Sequence, residues 1–169
     1  MGAAMLDVGT YEEIEADPNA TMQAFVVVLA SSAAAGIGAL GLGERTLPLV
    51  AFGGTVALLA WAAWALVTFE IGVRLMPQPS TRSSVVELMR TIGFASAPGL
   101  LRVFGATPGA AVPVFALTSV WMLAAMVVAV RQALDYDSTV RAILVCGLGW
   151  GLAIALAVIS GLAFGPSVY

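Results

Sequence analysis

The sequence predicts an all-α protein, a polytopic membrane bundle of five transmembrane helices with a broken third helix, and three observations carry that expectation. Of its 169 residues, 60% are hydrophobic and only 10% charged, a balance that a water-soluble domain does not sustain. The few charges fall so that long uncharged runs separate them, and a hydrocarbon core of about 30 Å is crossed by about 20 apolar residues in a helix. The one apolar stretch that does hold charges also holds Pro98-Gly99, which removes a backbone hydrogen bond and crowds the preceding turn.

Residues 1–17 form an acidic segment, with Asp7, Glu12, Glu13, Glu15 and Asp17 and no base. Thr10-Tyr11-Glu12-Glu13 reads as a capping box opening a short surface helix. A secretory signal begins with positive charge, so no cleavage is expected here. The membrane domain follows at 18–169. Its first span covers 18–43, with Asp17 or Asn19 as cap and Pro18 in the first turn. "GLGERTLP" makes a tight turn, and the second span covers 46–75, where Glu70 and Arg74 sit four apart on one face.

The third span, 84–104, opens with a Ser84–Glu87 capping box and carries Glu87, Arg90 and Arg102 around the uncharged stretch 91–101. It crosses if those side chains snorkel toward the interfaces; otherwise it lies on the surface or re-enters. The fourth and fifth spans cover 110–134 and 138–164, and their connection "RQALDYDSTVR" carries Arg131, Asp135, Asp137 and Arg141, with Asp137 or Ser138 as cap. Arginine placement favours five passes with the N-terminus cytoplasmic. Arginines 74, 82, 90, 131 and 141 are then inside and 45 and 102 outside, five against two, whereas four passes give four against three.

Function is bounded mainly by exclusion. The chain has no histidine, and the single Cys146 permits neither an internal disulfide nor a multi-thiolate centre. No catalytic residue, cofactor site or metal ligand is identified, no enzyme activity is expected, and the acidic balance does not attract nucleic acid. Gly36-x-Gly38-x-x-Gly41 has dinucleotide-fingerprint spacing but lacks a preceding strand and a following acidic residue near Trp61. The same region carries small residues four apart at Ser31, Ala35, Ala39 and Gly43, and Gly147-x-x-x-Gly151 repeats the pattern, with Ala155 four further on. Both read as helix-packing stripes, within the bundle or between copies. Trp61, Trp64, Trp121 and Trp150 fall near the middles of their spans and are expected to fill gaps beside small residues. Glu70, Arg74, Glu87 and Arg90 are expected to form a polar cluster where the second and third spans meet at the cytoplasmic face.

The stretch "RTIGFASAPGLLRVFG", followed by "VWMLAAMVVAVRQALDYDSTVRAILVCGLGW", resembles the Yip domain family of polytopic membrane proteins. Gly93, Phe94 and Pro98 match its Gly-Tyr-x-x-x-Pro motif with Phe for Tyr, and Trp121, Arg131, Gln132, Arg141 and Ala142 look like the pattern of bacterial members. The resemblance implies five membrane helices, a cytosolic N-terminus and, in eukaryotic members, roles in vesicle formation and trafficking through GTPase and self-association contacts. The Asp-Leu-Tyr-Gly-Pro motif of eukaryotic members is missing, so GTPase binding is not carried over. An all-arginine basic set with abundant Ala and Gly suggests a GC-rich bacterial genome, and the expected location is the bacterial inner membrane with the N-terminus cytoplasmic. The expected function is a scaffold or adaptor whose partners are the lipid bilayer and other membrane proteins or a homo-oligomer. The alternative is a small transporter or channel with a cavity at the broken third helix.

Overall fold

A computed structural model describes residues 2–42 and 47–164, with side chains described outside 41–57, 153–154 and 156–164. Expectations resting on Gly43, Glu44, Arg45 and 165–169 lie outside the described residues. Every element among the described residues is helical. A 3₁₀ turn, Gly2–Met5, precedes α1 (Val8–Ala16); α2 (Ala20–Gly38) runs on into the 3₁₀ segment Ala39–Leu42. Helix α3 (Leu47–Phe69) continues as the π-helical turn Glu70–Leu75, and α4 (Val85–Ala95) is followed by a 3₁₀ helix, Ala97–Ala106. Helices α5 (Ala111–Ala133) and α6 (Thr139–Phe164) complete the chain.

Three stretches are long and apolar enough to cross a membrane, Ala20–Gly38, Leu58–Leu75 and Ala111–Ala133, with a shorter apolar helix at Thr139–Leu152. Large apolar side chains on them face outward, among them Val26, Leu59, Leu66, Leu117 and Val120. In water so much exposed apolar surface drives aggregation, whereas lipid is its natural solvent. The protein is therefore a helical membrane protein.

Local chemistry sets most boundaries. Ser84 and Glu87 close the expected capping box: the Ser84 N–H donates to Glu87 Oε2 (2.7 Å) and the Glu87 N–H to Ser84 Oγ (3.2 Å). The box read at Thr10 and Glu13 does not form, because α1 already starts at Val8 and the Thr10 hydroxyl donates back to Asp7 (2.7 Å). Asn19 occupies the cap of α2 without a side-chain bond to the helix; its N–H and amide both donate to Asp17 Oδ1. Helix α5 ends in a Schellman arrangement. The Asp135 N–H donates to the Gln132 carbonyl (2.9 Å), the Tyr136 N–H to that of Arg131 (2.9 Å), and Asp135 takes the left-handed position, φ 51, usually given to glycine.

The segment 85–106 is the axis of the bundle, since α1, α2, α3 and α5 all pack against α4, and α2 and α5 against the 3₁₀ helix. It runs alongside α2 in the same direction: Gly93 meets Ala24, Gly99 meets Ser31, and Gly105 meets Gly38. The steps are seven residues on α2 and six on its partner. A 3₁₀ helix has three residues per turn, so Gly99, Arg102 and Gly105 eclipse on one face. In an α-helix Gly99 and Gly105 would point about 120° apart. The change of helix type after Ser96 is what turns both glycines onto α2.

Candidate functional site

Gly93, Phe94 and Pro98, the residues that carry the resemblance, lie on this axis. A Cβ at Gly93 would stand 2.7 Å from Ala24 Cβ and 3.3 Å from Trp61 Cζ2, and the Trp61 indole N–H donates to the Met89 carbonyl (3.1 Å). Pro98 is buried, and Phe94 packs beside a cluster that includes Tyr11, Ala95, Ala125 and Ala129. A Cβ at Gly99 would run into the Ser31 hydroxyl and stand 3.0 Å from Met122 Sδ, while one at Gly38 would run into the Arg102 carbonyl and the Phe115 ring. Close backbone approach is the purpose of glycine at these positions. Arg102 is held from α5: its Nε donates to Thr118 Oγ1 (3.2 Å), its Nη2 to Ser119 Oγ (2.9 Å), and its guanidinium lies 5.2 Å from the Phe115 centroid.

At the opposite end, the turn between α5 and α6 is pinned to residues 70–80. Gly72 has no side chain, and Leu134, fully buried, occupies that space. The Tyr136 hydroxyl is shared between the carbonyls of Gly72 and Met76, each at 2.8 Å. A π-turn leaves carbonyls out of register with the ordinary helical ladder, and this phenol and Arg141 serve them. Burial raises the Tyr136 phenol, partly opposed by Arg141, so it remains a proton donor. Arg141 Nη1 donates to the carbonyls of Pro77 (3.0 Å) and Met76 (3.3 Å), and Arg131 Nε to that of Tyr136 (3.2 Å). Ser80 Oγ donates to the Asp135 carbonyl (2.9 Å). Arg131 and Arg141 thus bind backbone carbonyls. An open crevice of about 450 Å³ lies beside them, lined by Ser80, Arg131, Gln132, Asp135, Tyr136 and Asp137.

The four residues expected to form one polar cluster divide. Glu70 and Arg74 pair at 3.1 Å on an exposed surface, where such a pair contributes less than about 1 kcal/mol. Glu87 caps its own helix, and Arg90, only 8% exposed, donates from Nη2 to the Glu15 carbonyl of α1. An N-terminal segment packed on α4 takes the arginine that the sequence reading gave to the second span.

The small-residue stripes divide too. Ala39 is buried and Ala35 half-buried, but the packing line of α2 runs through Ala24, Ser31 and Gly38. On α6, a Cβ at Gly147 or Gly151 would meet no atom of the described residues within 4 Å, whereas one at Gly149 would stand 2.9 Å from the Trp64 indole. Among the described glycines of α6, Gly149 packs within the bundle, because that face meets α3; the pair at 147 and 151 touches none of the described residues. Trp64 also meets Trp150 edge-on at 5.9 Å. Sequence reasoning missed Gly99, Gly105 and Gly72, whose roles depend on the 3₁₀ and π segments, and it missed Tyr136 as a pin.

Three long apolar helices around a closely packed axis make this a membrane protein of the helix-bundle class. No family model, curated protein or solved structure matches the chain.

Proposed function

We propose that the chain is a five-pass integral membrane scaffold of the Yip type, set in a bacterial inner membrane with its N-terminus cytoplasmic, associating with other membrane proteins or with copies of itself. The observation that carries this reading is the filled centre at Gly93 to Gly99. Ala24, Trp61, Ser31 and Met122 occupy the space that a transport cavity at the broken third helix would need. Irregular backbone at membrane depth is tolerated where it lines water or is buried in protein, and here the 3₁₀ helix is packed between α2 and α5. Five passes are supported by the shared direction of α2 and 85–106, as first and third spans require, and by the arginine bias.

Topology is tested by cysteine labelling in a Cys146→Ala background. Position 137 should react only from the cytoplasmic side and positions 45 and 169 only from the other. Labelling of 137 from outside would leave a four-pass chain.

Association is tested on α6. Among the described residues, an added Cβ at Gly147 or Gly151 meets nothing within 4 Å, so Gly147→Leu and Gly151→Leu should leave thermal stability within about 0.5 kcal/mol of wild type. They should shift the oligomer distribution or the set of co-purifying membrane proteins in mild detergent. Unchanged association in both variants would remove α6 as the contact face. Loss of solute flux with association intact would replace the scaffold by a transporter.

A further inference from the structure

The N-terminal segment is seated in the bundle rather than lying free in water. Ala3, Tyr11 and Ile14 are buried against Ala95, Ala125 and Ala129, and the Trp121 indole, near the middle of α5, donates to the Ala4 carbonyl (2.7 Å). Two further ties reach it at the other end, Gln132 Nε2 to Glu12 Oε1 (3.2 Å) and Arg90 Nη2 to the Glu15 carbonyl. Leu6 sits at φ 62, a left-handed conformation that a bulky residue keeps only under constraint. Unseating the segment therefore releases strain, and the short link Asp17 to Asn19 joins it to α2.

Where α1 ends, acidic groups converge from α1 itself, from α4 and from the turn after α5. Glu15, half-buried, is faced by Glu12 on its own helix, by Glu87 and Arg90 on α4, and by Asp135 in the α5–α6 turn. Glu15 also sits in the last turn of α1, where the helix dipole disfavours negative charge and α1 itself supplies no basic residue, the nearby cation being Arg90 of α4. We propose that residues 2–16 are a detachable strap, seated while Glu15 is neutral and loosened when it ionises against Asp135 and Glu87. This holds whether or not the protein is a scaffold.

The direction follows from linkage. Burial first, then Asp135 and Glu87, push the Glu15 carboxyl up to about 7 in the seated strap, against 4.5 when free, with Arg90 opposing. A raised value means that seating is strongest below pH 4.5, weakens as pH rises to about 7, and is level above that. Half-exposure screens the effect, so a loss of about tenfold in seating is expected rather than the full shift.

The test is hydrogen exchange of the full chain in lipid nanodiscs between pH 4.5 and 8, corrected for intrinsic rates. Amides of residues 3–14 should lose about tenfold in protection, mostly below pH 7, while α5 stays constant. In Glu15→Gln protection should stay high and flat, and in Asp135→Asn the midpoint should fall. A flat wild-type profile, or a Glu15→Gln variant that keeps the wild-type loss, overturns the proposal. Should Glu15→Gln not fold, an unmoved midpoint in Asp135→Asn overturns it equally.

Discussion

Gly99→Leu should lower the unfolding temperature of the detergent-solubilised protein by roughly 10 °C, corresponding to about 3 kcal/mol of overpacking in a chain of this size. A Cβ there runs into the Ser31 hydroxyl and lies 3.0 Å from Met122 Sδ, so Leu must push α2 away from the axis of the bundle. Gly38→Leu should cost at least as much, because the first obstacle is the Arg102 backbone carbonyl, which no rotamer change can move. The comparison with Gly147→Leu, expected to be silent in stability, separates packing of the axis from contacts on α6. Equal melting temperatures for Gly99→Leu and wild type would mean that the 3₁₀ helix and α2 are not held in this register.

The second large effect belongs to the opposite end. Leu134→Ala removes a fully buried side chain from the space left open by Gly72, and truncations of this kind cost about 2–5 kcal/mol because the cavity collapses only partly. Chemical or thermal unfolding in mild detergent would measure it. The variant should also raise hydrogen exchange in residues 72–80, since Leu134, Tyr136 and Arg141 together pin that segment. A loss below about 1 kcal/mol, with exchange there unchanged, would mean that the pin is redundant.

How far the sequence could be read depended on whether a feature was local. The capping box at Ser84 and Glu87 needs only residues three apart and formed as written. The pairing of Glu70 with Arg74 needs one helical turn and formed as well. The Thr10 box failed because α1 starts earlier, a choice made by packing Tyr11 and Ile14. Small-residue spacing pointed to a line through Ser31, Ala35, Ala39 and Gly43 of the first span, whereas the closest approaches run through Ala24, Ser31 and Gly38 of α2, positions selected by the partner's pitch. On α6 the GxxxG spacing named the pair at 147 and 151, and Gly149, between them, is the one that meets Trp64. A stripe of small residues states that some helix can approach there, not which one.

By itself, then, the sequence determined the helical class, the residence in a membrane, the first cap of α4 and the absence of histidine chemistry. These follow from composition, apolar run length and contacts within one turn, and no tertiary partner can alter them. Tertiary structure alone decided that 85–106 is the axis of the bundle, that Gly99 and Gly105 share a face, and that Arg90 turns to the N-terminal segment. The physical reason is that lipid solvates every apolar helix face almost equally, so hydrophobicity places a helix in the bilayer without orienting it. Orientation comes from close backbone approach and from satisfying carbonyls and guanidinium groups across elements distant in sequence.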